Sequence, residues 1–149
     1  MKIHLPDLAA TTALAARIAA ALQPGDVVAL SGGLGAGKTT LARAIIGALG
    51  HEGEVPSPSF AIIEVYDPPP IRLRVVHADF YRLEDPEEVA ELGLDDYRAD
   101  AALIAEWPEH AGGFASEAAC LSIRMEILDN GRLAIVEPGP DWLERISWT

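Results

Sequence analysis

The chain has 149 residues, half of them hydrophobic, which suits one compact domain with a sizeable core and excludes general disorder. Its net charge of −12 argues against an unaided grip on a phosphate backbone, where affinity comes from cationic contacts, so any nucleic acid is expected to be held by a partner. No apolar run reaches the roughly 18 residues that span a bilayer and no basic-then-apolar leader opens the chain, so a cytoplasmic protein without a membrane segment is expected.

In chain order, Leu8 to Leu22 is Ala-rich with Leu14, Ile18 and Leu22 at helical spacing. Asp7 stands where it can cap that helix, and Gln23-Pro24-Gly25 ends it. Val27-Val28-Ala29-Leu30 reads as a short, wholly buried strand of the kind found at the centre of a parallel sheet. A glycine-rich turn follows, and then a helix from Thr39 to Leu49 with Leu41, Ile45 and Leu49 facing inward and Gly50 as terminator.

Ser59 to Tyr66 is β-like, and the Asp67-Pro68-Pro69-Pro70 turn leads into Ile71 to Asp79. Alternation of Ile71, Leu73 and Val75 with Arg72 and Arg74 predicts a strand with one wetter face, paired with its predecessor as a hairpin. Asp85-Pro86-Glu87-Glu88 is a helix start, with a capping Asp, Pro at the first helical position and Glu three residues after the cap. That helix should end near Gly93. Ala101 to Ala105 is another short apolar strand, closed by Glu106. Cys120 to Leu128 and Arg132 to Glu137 flank the hairpin turn Asp129-Asn130-Gly131, and Asp141 to Ile146 is expected to form a short helix that packs Trp142 on the sheet. Cys120, the single cysteine, reads as a small buried hydrophobe. The predicted fold is α/β: a compact single-domain P-loop NTPase, its mixed and largely parallel central sheet flanked by helices, with β-hairpins.

The pattern G-x-x-x-x-G-K-(S/T) is met by Gly32, Gly37, Lys38 and Thr39 between the buried strand and the helix. Glycines let the backbone curl into an anion nest, and the helix adds a positive dipole end of roughly half an elementary charge. Nucleotide contacts are therefore expected along Gly33-Leu34-Gly35-Ala36-Gly37-Lys38-Thr39-Thr40. Lys38, one of only two lysines in the chain, would meet the β- and γ-phosphates, and Thr39 would offer its hydroxyl to Mg²⁺.

Such a loop needs an acidic residue at the end of a neighbouring strand, to hold Mg²⁺ directly or through water and to orient the attacking water. Asp79 and Glu106 both end strands, and Glu106 has the cleaner apolar approach, so it is preferred as the metal-side acid. Which of the two holds the metal and which positions water stays open. His77, Tyr81 and Arg82 surround Asp79 with donors, as a site or as a structural hydrogen-bond cluster. In Val55-Pro56-Ser57-Pro58-Ser59-Phe60, the two hydroxyls either sense the γ-phosphate or belong to an ordinary proline turn. The only asparagine, Asn130, precedes Gly131, so there is no N-K-x-D guanine motif, and ATP is favoured over GTP.

Leu34-Gly35-Ala36-Gly37-Lys38-Thr39-Thr40-Leu41, Val55 to Phe60, His77-Ala78-Asp79-Phe80-Tyr81-Arg82-Leu83, Glu91-Leu92-Gly93-Leu94 and Glu106-Trp107-Pro108-Glu109 together resemble, in order and spacing, the TsaE (YjeE) family. The resemblance spans nearly the whole chain. It implies a small ATPase that works with TsaB and TsaD in making N6-threonylcarbamoyladenosine at position 37 of tRNA, touching tRNA only through that complex. It further implies that Lys38 and Thr39 bind phosphate and metal, that Asp79 and Glu106 are the essential acids, and that Trp107 lies near the nucleotide. Gly33 stands where the family commonly has Asp, Ser59 where it has Thr, and Phe80 where a smaller aliphatic is usual. A small-molecule kinase and a nucleotide-gated binding module that rarely hydrolyses ATP are the alternatives.

Overall fold

The computed structural model describes residues 1–56 and 63–146. Among these, seven strands form one sheet: β1 (Lys2–Leu5), β2 (Val27–Gly32), β3 (Ile63–Tyr66), β4 (Val75–Asp79), β5 (Ala102–Glu106), β6 (Cys120–Leu128) and β7 (Gly131–Pro138). Their spatial order is β1-β7-β6-β2-β5-β4-β3. The middle is parallel, with β2 between β5 and β6 and with β4 beside β5, whereas β3 and the β6–β7–β1 side pair antiparallel. The mixed, centrally parallel sheet expected from the sequence is the sheet observed.

β2 is buried on both faces, as its unbroken apolar run requires. Val28 and Leu30 point towards α1 (Leu8–Ala21) and α2 (Lys38–Ala48), where they join Leu14, Ile18, Leu41 and Ile45 in the larger core. Val27 and Ala29 point the other way, into a smaller core with Phe80, Leu103, Phe114 and Leu94. Leu94 opens α4 (Leu94–Arg98), which follows α3 (Glu88–Leu92) after the left-handed Gly93. Asp7 caps α1 by accepting from the Ala10 N–H at 2.9 Å. Before α3, Asp85 Oδ1 accepts from the Glu87 N–H at 3.0 Å, and the Glu88 carboxylate accepts from the Asp85 N–H at 3.2 Å, so only the Glu88 half of the expected capping box forms and the helix itself begins at Glu88. No described helix is long and apolar enough to cross a membrane.

The strand expected from Ile71 begins only at Val75. Ile71 and Leu73 are buried as the alternation suggested, but the Arg72 N–H donates to Leu49 O at 2.8 Å, which ties this stretch to the end of α2 instead of to β3. The Arg72 guanidinium meanwhile caps α1, donating to Ala19 O and Leu22 O. The start of the strand expected from Ser59 lies outside the described residues. The tail forms a 3₁₀ turn at Pro140–Trp142 where a short helix was expected. β1 and α4, both short and weakly patterned, had no counterpart in the sequence reading.

Cys120 is buried, and burial pushes its thiol pKa up. Trp142 is fully buried in the larger core and donates its indole N–H to Ala119 O at 2.8 Å. Trp142→Ala should therefore cost about 3–5 kcal/mol of stability, measured as a shift in the urea-unfolding midpoint with unchanged slope.

Candidate active site

The carboxyl ends of β2, β5 and β4 lie side by side. Leu30 is opposite Glu106, and Glu106 is opposite Asp79. Because β4 runs parallel to β5, although antiparallel to β3, Asp79 emerges at the same edge as the glycine loop. A cavity of about 640 Å³ opens there, lined by Lys38, Thr39 and Thr40, by Asp79 and Glu106, and by Trp107. That volume suits a nucleotide-sized ligand.

The loop after β2 turns on three glycines with positive φ: Gly32 at 127°, Gly35 at 76° and Gly37 at 104°. Gly32 must also lack a side chain, since a Cβ would lie 2.3 Å from Met125 O on β6. Gly33 differs. It has no positive φ, and a Cβ there would meet nothing within 4 Å, so the backbone does not demand glycine. α2 starts at Lys38, where among the described residues no side chain caps the first N–H groups, and Lys38, Thr39 and Thr40 of this first turn line the cavity.

Lys38 is only 5 % exposed, and its Nζ donates to Gly32 O and Gly33 O, each at 2.7 Å. It sits 4.3 Å from the centroid of the Trp107 ring. Desolvation pushes its pKa below the ordinary lysine value, while the charges of Glu106, Glu109 and Asp79 act in the opposite direction. Trp107 reaches this position through a left-handed backbone (φ 55°), an arrangement that costs about 1–3 kcal/mol in a non-glycine residue. Tyr81 and His110 pack beside it, with ring centroids 5.0 and 5.3 Å from that of Trp107.

Glu106, 1 % exposed, is held at both oxygens. Thr39 Oγ1 donates to Oε1 at 2.6 Å, and His77 Nε2 meets Oε2 at 2.6 Å. Asp79 accepts from the Tyr81 N–H at 3.0 Å. The donor cluster around Asp79 thus divides: Tyr81 serves Asp79 through its backbone, His77 serves Glu106, and Arg82 lines the cavity. Leu34, Gly35, Thr40 and Trp107 all border the same space, whereas Ala36 is packed beneath the loop. Ser59 and its neighbours in the proline-rich turn lie outside the described residues.

One wall was not foreseen. Leu5 to Leu8 and Thr11 face the loop from the start of the chain, and Gly131 and Arg132 face it from the β6–β7 turn. Arg132 Nη2 donates to Gly35 O at 3.3 Å, so the hairpin tip is fastened to the crest of the loop. The sequence showed a turn at Asn130-Gly131, but nothing local to it says that the turn ends beside the glycine loop.

Fold and site define a protein of the P-loop NTPase fold, with two acids at the ends of the strands next to the loop. The family model described as "Threonylcarbamoyl adenosine biosynthesis protein TsaE" matches residues 5–134, so the chain belongs to the TsaE family. It is 40 % identical over 108 residues to the Haemophilus influenzae tRNA threonylcarbamoyladenosine biosynthesis protein TsaE, covering 71 % of this chain and 66 % of that one. It is 45 % identical over 101 residues to the protein of the same name from Streptomyces coelicolor, covering 64 % and 66 %. The chain thus spans slightly under two thirds of the length of these relatives. It also resembles the crystal structure of Bacillus subtilis YdiB, with a TM-score of 0.78 at 29 % identity over 97 % of this chain and 90 % of that one.

The two glycines at the start of the loop give a clear contrast. Gly32→Ala should destabilise by about 2 kcal/mol or more through its positive φ and the clash with Met125 O, whereas Gly33→Ala should change stability by about 0.5 kcal/mol or less. Urea unfolding of the two variants checks this.

Proposed function

We propose that this chain is the ATP-binding and hydrolysing member of the assembly that makes threonylcarbamoyladenosine at position 37 of tRNA, acting with TsaB and TsaD. The observation that carries the proposal is the meeting of Lys38, Thr39, Asp79 and Glu106 around one cavity in a chain of this family. The net charge of −12 agrees with tRNA being held by partners and not by this subunit. A cytoplasmic location follows from that role.

The donor set suits Mg²⁺. Thr39 and Glu106 present hard oxygens 2.6 Å apart, and the described residues offer no cluster of three or more His, Cys, Asp or Glu that could hold a metal ion by themselves. Mg²⁺ characteristically takes one or two protein oxygens and completes its shell with phosphate and water. When bound, it would offset the negative charge shared by the triphosphate and the carboxylates near Lys38.

The chain's own groups do the rest. The uncapped N–H groups of α2 and the loop backbone receive the phosphates, and Lys38 exchanges its two carbonyls for phosphate oxygens. Glu106, bonded to Thr39, serves the metal side, and Asp79, opposite it on β4, orients the attacking water. Trp107 covers the Lys38 side of the cradle. Turnover here would drive a conformational cycle in the larger assembly while the base is modified elsewhere.

Phosphate release measured for the chain alone, and with TsaB and TsaD added, tests this proposal. Slow release alone, stimulation by the partners, and a loss of about 100-fold in Lys38→Ala are expected. Transfer of phosphate to a metabolite, with no response to the partners, would overturn it.

A further inference from the structure

His77 is fully buried, two residue pairs deeper into the sheet than Asp79 and Glu106, and opposite Ile104 in the β4–β5 register. Side chains along a strand alternate between faces, so His77 shares a face with Val75, Ile104 and the two acids. Val75 and Ile104 belong to the larger apolar core there. An imidazole is out of place in that layer. Its Nδ1 is buried with no hydrogen-bond partner among the described residues, which costs about 1–3 kcal/mol. The contact that offsets this is the 2.6 Å bond from Nε2 to Glu106 Oε2.

The geometry of that bond is informative. A carboxylate can only accept, so Nε2 carries the proton and donates it. Oε1 meanwhile accepts from Thr39 Oγ1, also at 2.6 Å. With a rigid ring below and the hydroxyl above, the carboxylate is fixed in rotation. Thr39 in turn gives its proton to Glu106, which leaves the lone pairs of Oγ1 to face the cavity that it lines.

From this chain we infer that His77 is a positioning residue for the proposed Mg²⁺–ATP site. It locks the Glu106 carboxylate so that Oε1 and the Thr39 hydroxyl together present one preformed metal-binding edge. His77 touches neither nucleotide nor metal and acts only through Glu106. The inference rests on the reading of the cavity as a Mg²⁺–ATP site. Partners of this sort, one bond removed from a metal, typically change metal affinity or activity by about 10–100-fold when they are lost.

The test uses two amides. The Gln side chain can place an N–H where Nε2 now lies, whereas that of Asn is one methylene too short. ADP and ATP binding are followed by calorimetry at a series of Mg²⁺ concentrations, and phosphate release is measured in parallel. His77→Asn should raise the Mg²⁺ needed for half-maximal enhancement of ATP binding by about tenfold or more, while Mg²⁺-free ADP binding changes by no more than about twofold. His77→Gln should return the Mg²⁺ requirement to within about threefold of the parent protein. In a Glu106→Gln background, His77→Asn should add nothing to the Mg²⁺ effect.

Circular dichroism establishes that each variant is folded. His77→Leu, sized for the layer of Val75 and Ile104, replaces the Asn variant if that one is not folded. An unchanged Mg²⁺ requirement in folded His77→Asn or His77→Leu would overturn the inference. So would equal losses in His77→Gln and His77→Asn, or full additivity with Glu106→Gln. Nucleotide binding by the unsubstituted protein that ignores Mg²⁺ would instead overturn the Mg²⁺–ATP reading, and is seen before any variant is made.

Discussion

The placing of β2 between two parallel neighbours is the constraint on which the site depends. Both edges of its backbone are bonded, to β5 on one side and β6 on the other, and both faces are covered by apolar side chains. A strand so enclosed has no freedom until it leaves the sheet, so the chain turns at one point, Gly32. There the β6 backbone leaves no room for a side chain, since a Cβ would fall 2.3 Å from Met125 O. The parallel pairing then sets the rest. In a parallel pair the carboxyl ends lie at the same edge, so the residues ending β5 and β4, Glu106 and Asp79, arrive beside the loop without any further device.

Electrostatics follows from that edge. Three carboxylates, Glu106, Glu109 and Asp79, act on one buried ammonium, Lys38. Burial disfavours the charge on Lys38 and these acids favour it; carbonyl dipoles from Gly32 and Gly33, together with the face of Trp107, supply the solvation that water no longer does. An ammonium held on neutral carbonyls can be transferred to an anion at lower cost than one locked to a carboxylate. The loop backbone thus holds Lys38 in reserve for a phosphate, and the acids remain available to oxygen-seeking cations and to water.

The sequence disclosed this edge because its parts are local. Val27 to Leu30 is apolar on both faces, the glycines and Lys38 follow at fixed spacing, and Glu106 ends a run of five apolar residues; each feature can be read within one segment. The Asp85-to-Glu88 helix start and the Asn130-Gly131 turn are equally self-contained. What escaped were relations between distant segments. Ile71 and Leu73 alternate like a strand, but the Arg72 N–H bonds to Leu49 O, a partner that no local pattern names. β1 is four residues long and becomes a strand only through pairing with β7. His77 was grouped with Asp79, its neighbour along the chain, whereas its bond crosses to Glu106 on the next strand.

The wall opposite the loop carries that lesson into the site itself. Leu5 pairs with Arg132 in the β1–β7 register, and Gly131, at φ 123°, lets the hairpin approach so closely that a Cβ would lie 2.4 Å from Leu5 O. Two stretches more than a hundred residues apart in sequence are thereby joined into one surface, and Arg132 fastens that surface to Gly35 O on the loop. A ligand that fills the cavity must touch loop, hairpin and the start of α1 together. Arg132 is thereby one hydrogen bond from the loop crest and, through the β7–β1 pairing, one strand from the edge of the sheet.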